Sequence, residues 1–290
     1  DNINIMNFDL KEITVLIFTD IDGTFINNDT FNEGGNIEIA EMLNNHRHIL
    51  IYNSSKTFHE IISMQNRFKT SFPFICETGG GIYYKNIFDN DSVRSREGYS
   101  IMYESMKIDK FEEIIKKEIR NNFKNDVDLF DDLCIDDRSR LSGLSGTDLD
   151  LASKRDFSIL VRWKSDESRY TQFESVLENY GLNIIKGGRF CHICSSQDKG
   201  KSVMYFLDQI KSSRKYDRII TVGIGDSTND IEMLNNVDYA CVVKSKNNSN
   251  LLKKIDSNNI VSSINHAPEG WAECIHNVFS KIKSQEHLYG

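Results

Sequence analysis

No stretch of about 18 consecutive apolar residues, the length needed to span a bilayer, occurs in this 290-residue chain. The amino end also lacks the basic-then-apolar order of a signal peptide. Both absences lead us to expect a soluble, cytoplasmic protein with no membrane partner. Positive charge is scarce: 35 Lys and Arg face 43 Asp and Glu, for a formal net charge of −8. That balance argues against nonspecific binding to nucleic acid or anionic membrane, and an anionic ligand would need locally gathered cations. No internal repeat is found. Six cysteines, Cys76, Cys134, Cys191, Cys194, Cys241 and Cys274, fall mostly within apolar stretches, as reduced packing residues do, and do not read as a disulfide framework. Cys191 and Cys194 have C-x-x-C spacing, but in an expected strand residues three apart face opposite ways, and no second pair follows to complete a zinc site.

Apolar matter, by contrast, suffices for more than one core, at 39% hydrophobic and 10% aromatic residues. At this length two domains, or one with a large insertion, are expected. The most informative segment is an apolar run from Ile13 to Phe18 followed by Thr19, Asp20, Ile21, Asp22, Gly23 and Thr24. Side chains at i and i+2 of an extended segment point the same way, so Asp20 and Asp22 converge on one small volume. Two carboxylates that close repel each other. A shared proton, a base or a divalent cation relieves the repulsion, and hard oxygen ligands favour magnesium. Asp-x-Asp-Gly also occurs in ordinary acidic turns and in calcium loops, so this segment alone leaves those readings open.

Apolar spacing predicts a helix over 36–46 and a strand over 49–52, closed by Asn53, Ser54, Ser55, Lys56 and Thr57. A second helix is expected over 58–68, then a strand over 72–76 that ends at Glu77, Thr78, Gly79, Gly80 and Gly81. The glycine run lacks the Lys-Ser/Thr of a P-loop and is followed by an apolar 82–84, so it reads as a hairpin turn. Each polar cluster falls at the carboxyl end of an expected strand, where open α/β sheets bind ligands. Beyond about residue 86 the pattern changes to that of a separate α+β unit, with helices over 109–123 and 170–180, an acidic stretch over 126–137, a strand over 157–163 and a hairpin from 183–186 and 189–194. The α/β alternation returns with a helix opened by Asp198, Lys199 and Gly200. A strand over 218–222 stops at Gly223 and leads to Asp226, Ser227, Thr228, Asn229 and Asp230, before a helix over 231–234 and a strand over 239–243. The Lys/Asn/Ser-rich 244–259 reads as a solvated helix and loop.

Successive strand ends therefore carry Asp20 and Asp22, then Ser54, then Lys199 at a helix start, then Asp226 with Asp230. In that order and chemistry the chain resembles the haloacid dehalogenase superfamily of phosphatases. The resemblance implies a catalytic set of Asp20 as nucleophile, Asp22 as acid and base, Ser54 and Lys199, with Ser55 a lesser candidate beside Ser54. It also implies magnesium at Asp20, Asp22 (through its main-chain carbonyl), Asp226 and Asp230. The family's G-D-S-x-N-D string is matched in full by Gly225, Asp226, Ser227, Asn229 and Asp230. Elementary chemistry asks for the same parts, because a carboxylate approaching a phosphate monoester needs the phosphate's charges cancelled, here by a divalent ion, Lys199 and Ser54. Finer landmarks are N-S-S-K-T-F-H-E from Asn53, F-I-C-E-T-G-G-G-I-Y from Phe74, R-L-S-G-L from Arg140, A-S-K-R-D-F-S from Ala152, R-F-C-H-I-C-S-S-Q-D-K-G-K from Arg189 and P-E-G-W from Pro268. Over 15–279 these look like mannosyl-3-phosphoglycerate phosphatases. That branch implies a Rossmann-like parallel-sheet core, here 1–86 and 195–290, with an inserted cap at 87–194. It also implies hydrolysis of a 2-O-glycosyl-3-phosphoglycerate, a small phosphorylated sugar-glycerate, to the glycosylglycerate.

The chain departs from that branch in two places. After Phe157 and Ser158 the family usually continues Glu-Pro, whereas Ile159 and Leu160 follow here, which bears on recognition of the sugar or the carboxylate. The family's E-N-G-A-x-I is here Glu77, Thr78, Gly79, Gly80, Gly81 and Ile82, which keeps the Glu and a small residue. Such a substrate carries a carboxylate and several hydroxyls besides its phosphate, so a site for it needs a cation beyond Lys199. The candidate contacts are Ser55, Lys56, Glu77, Arg189 and His192, with Arg140 and Arg155 behind them, although exposed Lys and Arg are mostly solvated and a strand His is usually packed. Trp271 is expected to pack the last helix onto the core. The competing readings are a phosphatase of glucosyl-3-phosphoglycerate or sucrose phosphate, a phosphomutase, and a non-catalytic binding protein on the same fold.

Overall fold

The computed structural model describes residues 8–10, 12–88, 94–246 and 248–289. Strand β1 (Ile13–Thr19) is buried along its whole length, and alternate residues feed two cores: Ile13, Val15 and Ile17 one, Leu16 and Phe18 the other. A strand covered on both faces reads as an unbroken apolar run, which is why 13–18 shows no alternation. β1 lies parallel between β2 (Ile49–Asn53) and β11 (Arg218–Gly225). β3 (Phe74–Cys76) follows beyond β2, while β12 (Tyr239–Val242) and β13 (Ile260–Ser262) follow beyond β11, all parallel. Antiparallel β4 (Gly81–Tyr84), β6 (Tyr99–Glu104) and β5 (Ser95–Arg96) complete a nine-stranded sheet of order β13-β12-β11-β1-β2-β3-β4-β6-β5. The chain runs outward from β1 to β3 and resumes on the other side at β11. The topological switch point thus falls between β1 and β11, where an α/β sheet opens a crevice at its carboxyl ends.

Helices α1 (Asn36–Asn45), α2 (Phe58–Phe68) and α10 (Glu269–Tyr289) cover one face through Ile39, Leu43, Phe58, Ile61, Trp271 and Val278. On the other face α7 (Lys199–Ser213), α8 (Ile231–Leu234) and α9 (Asn248–Leu252) pack Val203, Phe206, Ile210, Leu234 and Leu251. A capping box starts α2: Glu60 N–H donates to Thr57 Oγ1 at 3.1 Å, and Thr57 N–H donates to Glu60 Oε2 at 2.8 Å, which fixes the Ser54-Ser55-Lys56 loop just upstream. Trp271 packs the last helix as expected. It is fully buried, lies 4.9 Å from Phe25 edge to face, and donates from Nε1 to Thr19 Oγ1 at 3.0 Å, beneath the first acidic loop.

A second, antiparallel sheet of order β7-β8-β10-β9 is built from β7 (Val127–Leu129), β8 (Ser158–Trp163), β9 (Asn183–Lys186) and β10 (Cys191–Cys194). Helices α3 (Glu112–Asn122) and α6 (Glu167–Asn179) close its own core around Ile115, Val161, Phe173, Leu177 and Ile193. Between β7 and β8 the chain adds α4 (Ile135–Ser142) and α5 (Gly146–Ser153). The division expected at residues 86 and 87 needs correcting, because it cuts the large sheet: β5 and β6 pair with β4's side of that sheet, and Tyr99 packs 5.2 Å from Phe74 in the first core. β11 also runs on to Gly225, three residues beyond the expected 222, since Gly223, Ile224 and Gly225 keep pairing with β12. All six cysteines are free thiols. Among the described residues, no helix is long and apolar enough to cross a membrane.

His48, at 0% exposure, accepts from Val15 N–H through Nδ1 at 3.1 Å and therefore donates to the Phe8 carbonyl through Nε2 at 2.7 Å. Burial holds its pKa below the usual histidine value. Below about pH 6.5 the unfolded chain then binds more protons than the folded one, so stability drops as pH falls. His48→Gln, whose amide can accept and donate in the same way, is expected to lose less unfolding free energy between pH 7.5 and 5 in urea titrations. An unchanged pH slope would place the acid sensitivity elsewhere.

Candidate active site

Lys199 opens α7 at 0% exposure, and its Nζ reaches Asp20 Oδ1 at 2.7 Å and Asp230 Oδ1 at 2.6 Å. Burial alone would lower the lysine's pKa, but the two carboxylates more than reverse this and hold it charged. Asp20 follows β1 and Asp226 follows β11, so the switch point brings together residues two hundred positions apart; Thr24 Oγ1 donates to Asp226 Oδ1 at 3.1 Å across that span. Asp230 Oδ2 accepts the main-chain N–H groups of Asp226 and Ser227, both at 3.1 Å. Gly225 is required here, because a Cβ would lie 2.5 Å from the Asp230 Cβ. Carboxylate oxygens of Asp20, Asp226 and Asp230 all lie within 4.8 Å of one another. Burial pushes Asp20 and Asp226 well above the usual carboxylate range, with Asp230 raising both and Lys199 opposing. Three crowded acids with one lysine leave a charge deficit on hard oxygen donors, which is the setting a divalent cation such as magnesium fits.

The expected metal set uses the main-chain carbonyl of Asp22, which leaves its side chain for other contacts. The Asp22 Oδ2 pairs with Lys56 Nζ at 2.8 Å, while its Oδ1 is buried without a hydrogen-bond partner among the described residues. Lys56 also lies 3.8 Å from Glu60 Oε1, and after the opposing effect of burial these acids raise its pKa. Ser54 is 1% exposed and its Oγ accepts Lys56 N–H at 3.2 Å, so the hydroxyl shapes the loop in this conformation. Asn53, which the sequence reading gave no role, donates from Nδ2 to the Lys199 carbonyl at 3.1 Å and ties β2 to the start of α7.

Above the acids lies a cleft of about 660 Å³ between the two sheets' ends. Ser55, Lys56, Arg155, Arg189 and His192 line it, together with Lys244 and Lys246. The two lysines fell in the tract read as solvated; their signal was position, directly after a core strand end. Arg189 donates from Nη1 to the Ser142 carbonyl. His192 is pushed down to about 3 by burial first, then by Arg155 and Lys199, and so is neutral. Arg140 pairs with Asp137 at 2.6 Å, is exposed, and does not line the cleft. Glu77, expected to contact substrate, is corrected by its surroundings: at 0% exposure it accepts from Asp156 N–H, Phe157 N–H and Ser158 Oγ at 2.8, 2.9 and 2.8 Å, and it does not line the cleft. A larger concavity of about 790 Å³, lined by residues such as Ile13, His48 and Phe72 at the other ends of the strands, contains none of the clustered acids.

A model of the haloacid dehalogenase-like hydrolase family matches residues 17–275, and the chain belongs to that family. Two curated relatives carry the name glucosyl-3-phosphoglycerate/mannosyl-3-phosphoglycerate phosphatase. The one from Methanococcoides burtonii is 28% identical over 92% of this chain and 97% of its own length. Its counterpart from Persephonella marina is 29% identical over 93% and 98%. Among solved structures, a haloacid dehalogenase-like hydrolase from Bacteroides thetaiotaomicron matches with a TM-score of 0.62 at 16% identity, covering 93% of this chain and 99% of that one, a likeness of fold.

Lys199→Met leaves Asp20 and Asp230 facing each other without their shared cation, and is expected to lower the unfolding free energy by about 3–5 kcal/mol, the range for breaking a buried ion pair. Adding Asp230→Asn should restore part of that loss in urea denaturation. Full additivity of the two substitutions would show that the contact contributes nothing.

Proposed function

We propose that this hydrolase is a magnesium-dependent phosphatase of a 2-O-glycosyl-3-phosphoglycerate, mannosyl-3-phosphoglycerate first, releasing the glycosylglycerate and phosphate through an aspartyl-phosphate. What carries the reading is the cluster of Asp20, Asp226, Asp230 and Lys199 in a chain similar over 92% of its length to a relative named for that activity. We divide the chain into a catalytic core, 1–104 with 195–290, and a cap, 105–194, following the two sheets. Six free thiols fit a reducing compartment, the cytoplasm.

In this mechanism Lys199 holds Asp20 Oδ1 and leaves Oδ2 to attack phosphorus. Asp22 Oδ1, which has no protein partner among the described residues, gives a proton to the departing glycerate oxygen as the phosphorus–oxygen bond breaks. Water then attacks phosphorus, Asp22 Oδ1 takes its proton, and the Asp20 carboxylate is restored. Asp20, Asp226 and Asp230 would hold magnesium, which when bound would supply positive charge to offset that of the phosphate. Lys199 and the Ser54 to Lys56 loop supply the rest.

With magnesium present, phosphate release should be fastest from mannosyl- or glucosyl-3-phosphoglycerate, slower from 3-phosphoglycerate and sucrose phosphate, and absent as transfer to glucose or mannose 1-phosphate. A faster rate on sucrose phosphate, or phosphoryl transfer back to sugar, would sink the assignment. Asp20→Asn should reduce kcat by more than about a thousandfold with the fold retained by circular dichroism; residual turnover near wild type would remove Asp20 as nucleophile. Chelation should stop the reaction and magnesium restore it. Asp226→Asn should raise the magnesium required by at least the roughly tenfold that even an outer-shell partner is worth, as read by titration calorimetry.

A further inference from the structure

Resting on that reading, we propose that Arg155 is the residue that binds the substrate's carboxylate, and that Glu77 is the positioning residue that sets it. Arg155 belongs to the short segment between α5 and β8, yet its side chain is only 8% exposed and is fastened to the core. Its Nη2 donates to the Ser55 carbonyl at 2.9 Å and to Ser158 Oγ at 2.9 Å, and its Nε donates to Ser158 Oγ at 3.0 Å. The neutral His192 offers Nδ1 at 3.5 Å from Nη2. Nη1 is left without a protein partner among the described residues, in a side chain that lines the cleft. A guanidinium this buried, with Nη1 left unmatched, is set to donate to a bound anion such as a carboxylate.

The other cations of the cleft are placed for other work or held elsewhere. Lys199 is held between Asp20 and Asp230, Lys56 is paired with Asp22, and Arg189, Lys244 and Lys246 are exposed. The transferred phosphate lies over Asp20 in the proposed mechanism and occupies Lys199 and the 54–56 loop, which leaves Arg155, the nearly buried cation that lines the cleft beside that loop, for the substrate's second anion. Glu77 Oε2 lies 3.7 Å from Arg155 Nε, but its hydrogen bonds go to residues 156–158, which directly follow Arg155. Its own N–H donates to the Lys56 carbonyl at 2.8 Å, and Thr78 N–H to the Ser54 carbonyl at 2.9 Å. Glu77 and Thr78 both adopt left-handed backbone, φ 47° and 56°, a conformation unfavourable for non-glycine residues and kept where surrounding bonds enforce it. One buried carboxylate thus joins the 54–56 loop to the segment that presents Arg155.

The test compares wild type, Arg155→Gln, Arg155→Lys and Glu77→Gln on mannosyl-3-phosphoglycerate and on glucose 6-phosphate, which has no carboxylate. Arg155→Gln is expected to lose about 10- to 100-fold in kcat/KM on the first, the worth of a hydrogen bond to a charged group, chiefly in KM, and at least tenfold less on the second. Arg155→Lys should recover part of the loss, and Glu77→Gln should shift the same ratio in the same direction. Equal losses on both substrates overturn the assignment of Arg155 while leaving the phosphatase reading in place. A wild-type enzyme that prefers glucose 6-phosphate overturns the substrate reading, and this assignment with it. If the variants do not fold, inhibition of wild type by mannosylglycerate and by its amide decides: equal inhibition by the two overturns the proposal.

Discussion

The arrangement depends on one buried lysine among three acids, of which Asp20 and Asp230 are buried and Asp226 partly so. Without Lys199, Asp20, Asp226 and Asp230 would place three carboxylates within 4.8 Å of one another in a region shielded from water, and the cheapest response would be protonation. Lys199 keeps two of them anchored, and the elements around it are arranged to keep Lys199 in place. It is the first residue of α7, its carbonyl accepts from Asn53 on β2, and the Asp198 side chain caps the next turn through Lys201 N–H at 2.7 Å. The lysine is thus fixed from the sheet below and from its own helix.

The same constraint explains the sheet order. Asp20, Lys199 and Asp230 are distant in sequence, and they meet because β1 and β11 are neighbours whose carboxyl ends face one crevice. Hydrophobic burial on both faces of β1 sets its register, and register sets which residue emerges at the strand's end. Displacing β1 by one residue would exchange its two cores and turn Asp20 away from Lys199. The apolar run and the acid pair are therefore one requirement seen at two scales.

Much of this was legible in the sequence because the core's residues are adjacent to the feature that positions them. Each of Asp20, Ser54, Lys199 and Asp226 follows a strand or opens a helix whose pattern is local, and the structure brings Asp20, Lys199, Asp226 and Asp230 together. Glu77 was harder to place, since its position at a strand end pointed to the cleft, whereas its left-handed backbone turns it to the residues around Arg155. Strands β5 and β6 were lost because β6 pairs antiparallel with β4 and β5 with β6, and their apolar signal is short. Lys244 and Lys246 look like solvent-facing lysines in any local window; only the placement of β12 beside β11 brings them to the cleft.

The two segments that link the sheets cross beside Lys199. One leaves β6 at Ser105, the other returns from β10 through Gln197, and the Ser105 hydroxyl donates to the Gln197 side chain. Gln197 in turn donates from Nε2 to the Glu77 carbonyl at 2.8 Å. Gly79 makes this closeness feasible, because any Cβ there would collide with the Asp198 carbonyl, and its φ of 95° is one that other residues rarely adopt. Asp198 immediately precedes Lys199. A displacement of the smaller sheet is therefore felt within two residues of the lysine that holds Asp20, and at Arg155 through the same Glu77. The residues that shape the cleft around Arg155 and those that orient the acids share one junction, so the shape of the cleft and the geometry of the acid cluster are mechanically joined in this fold.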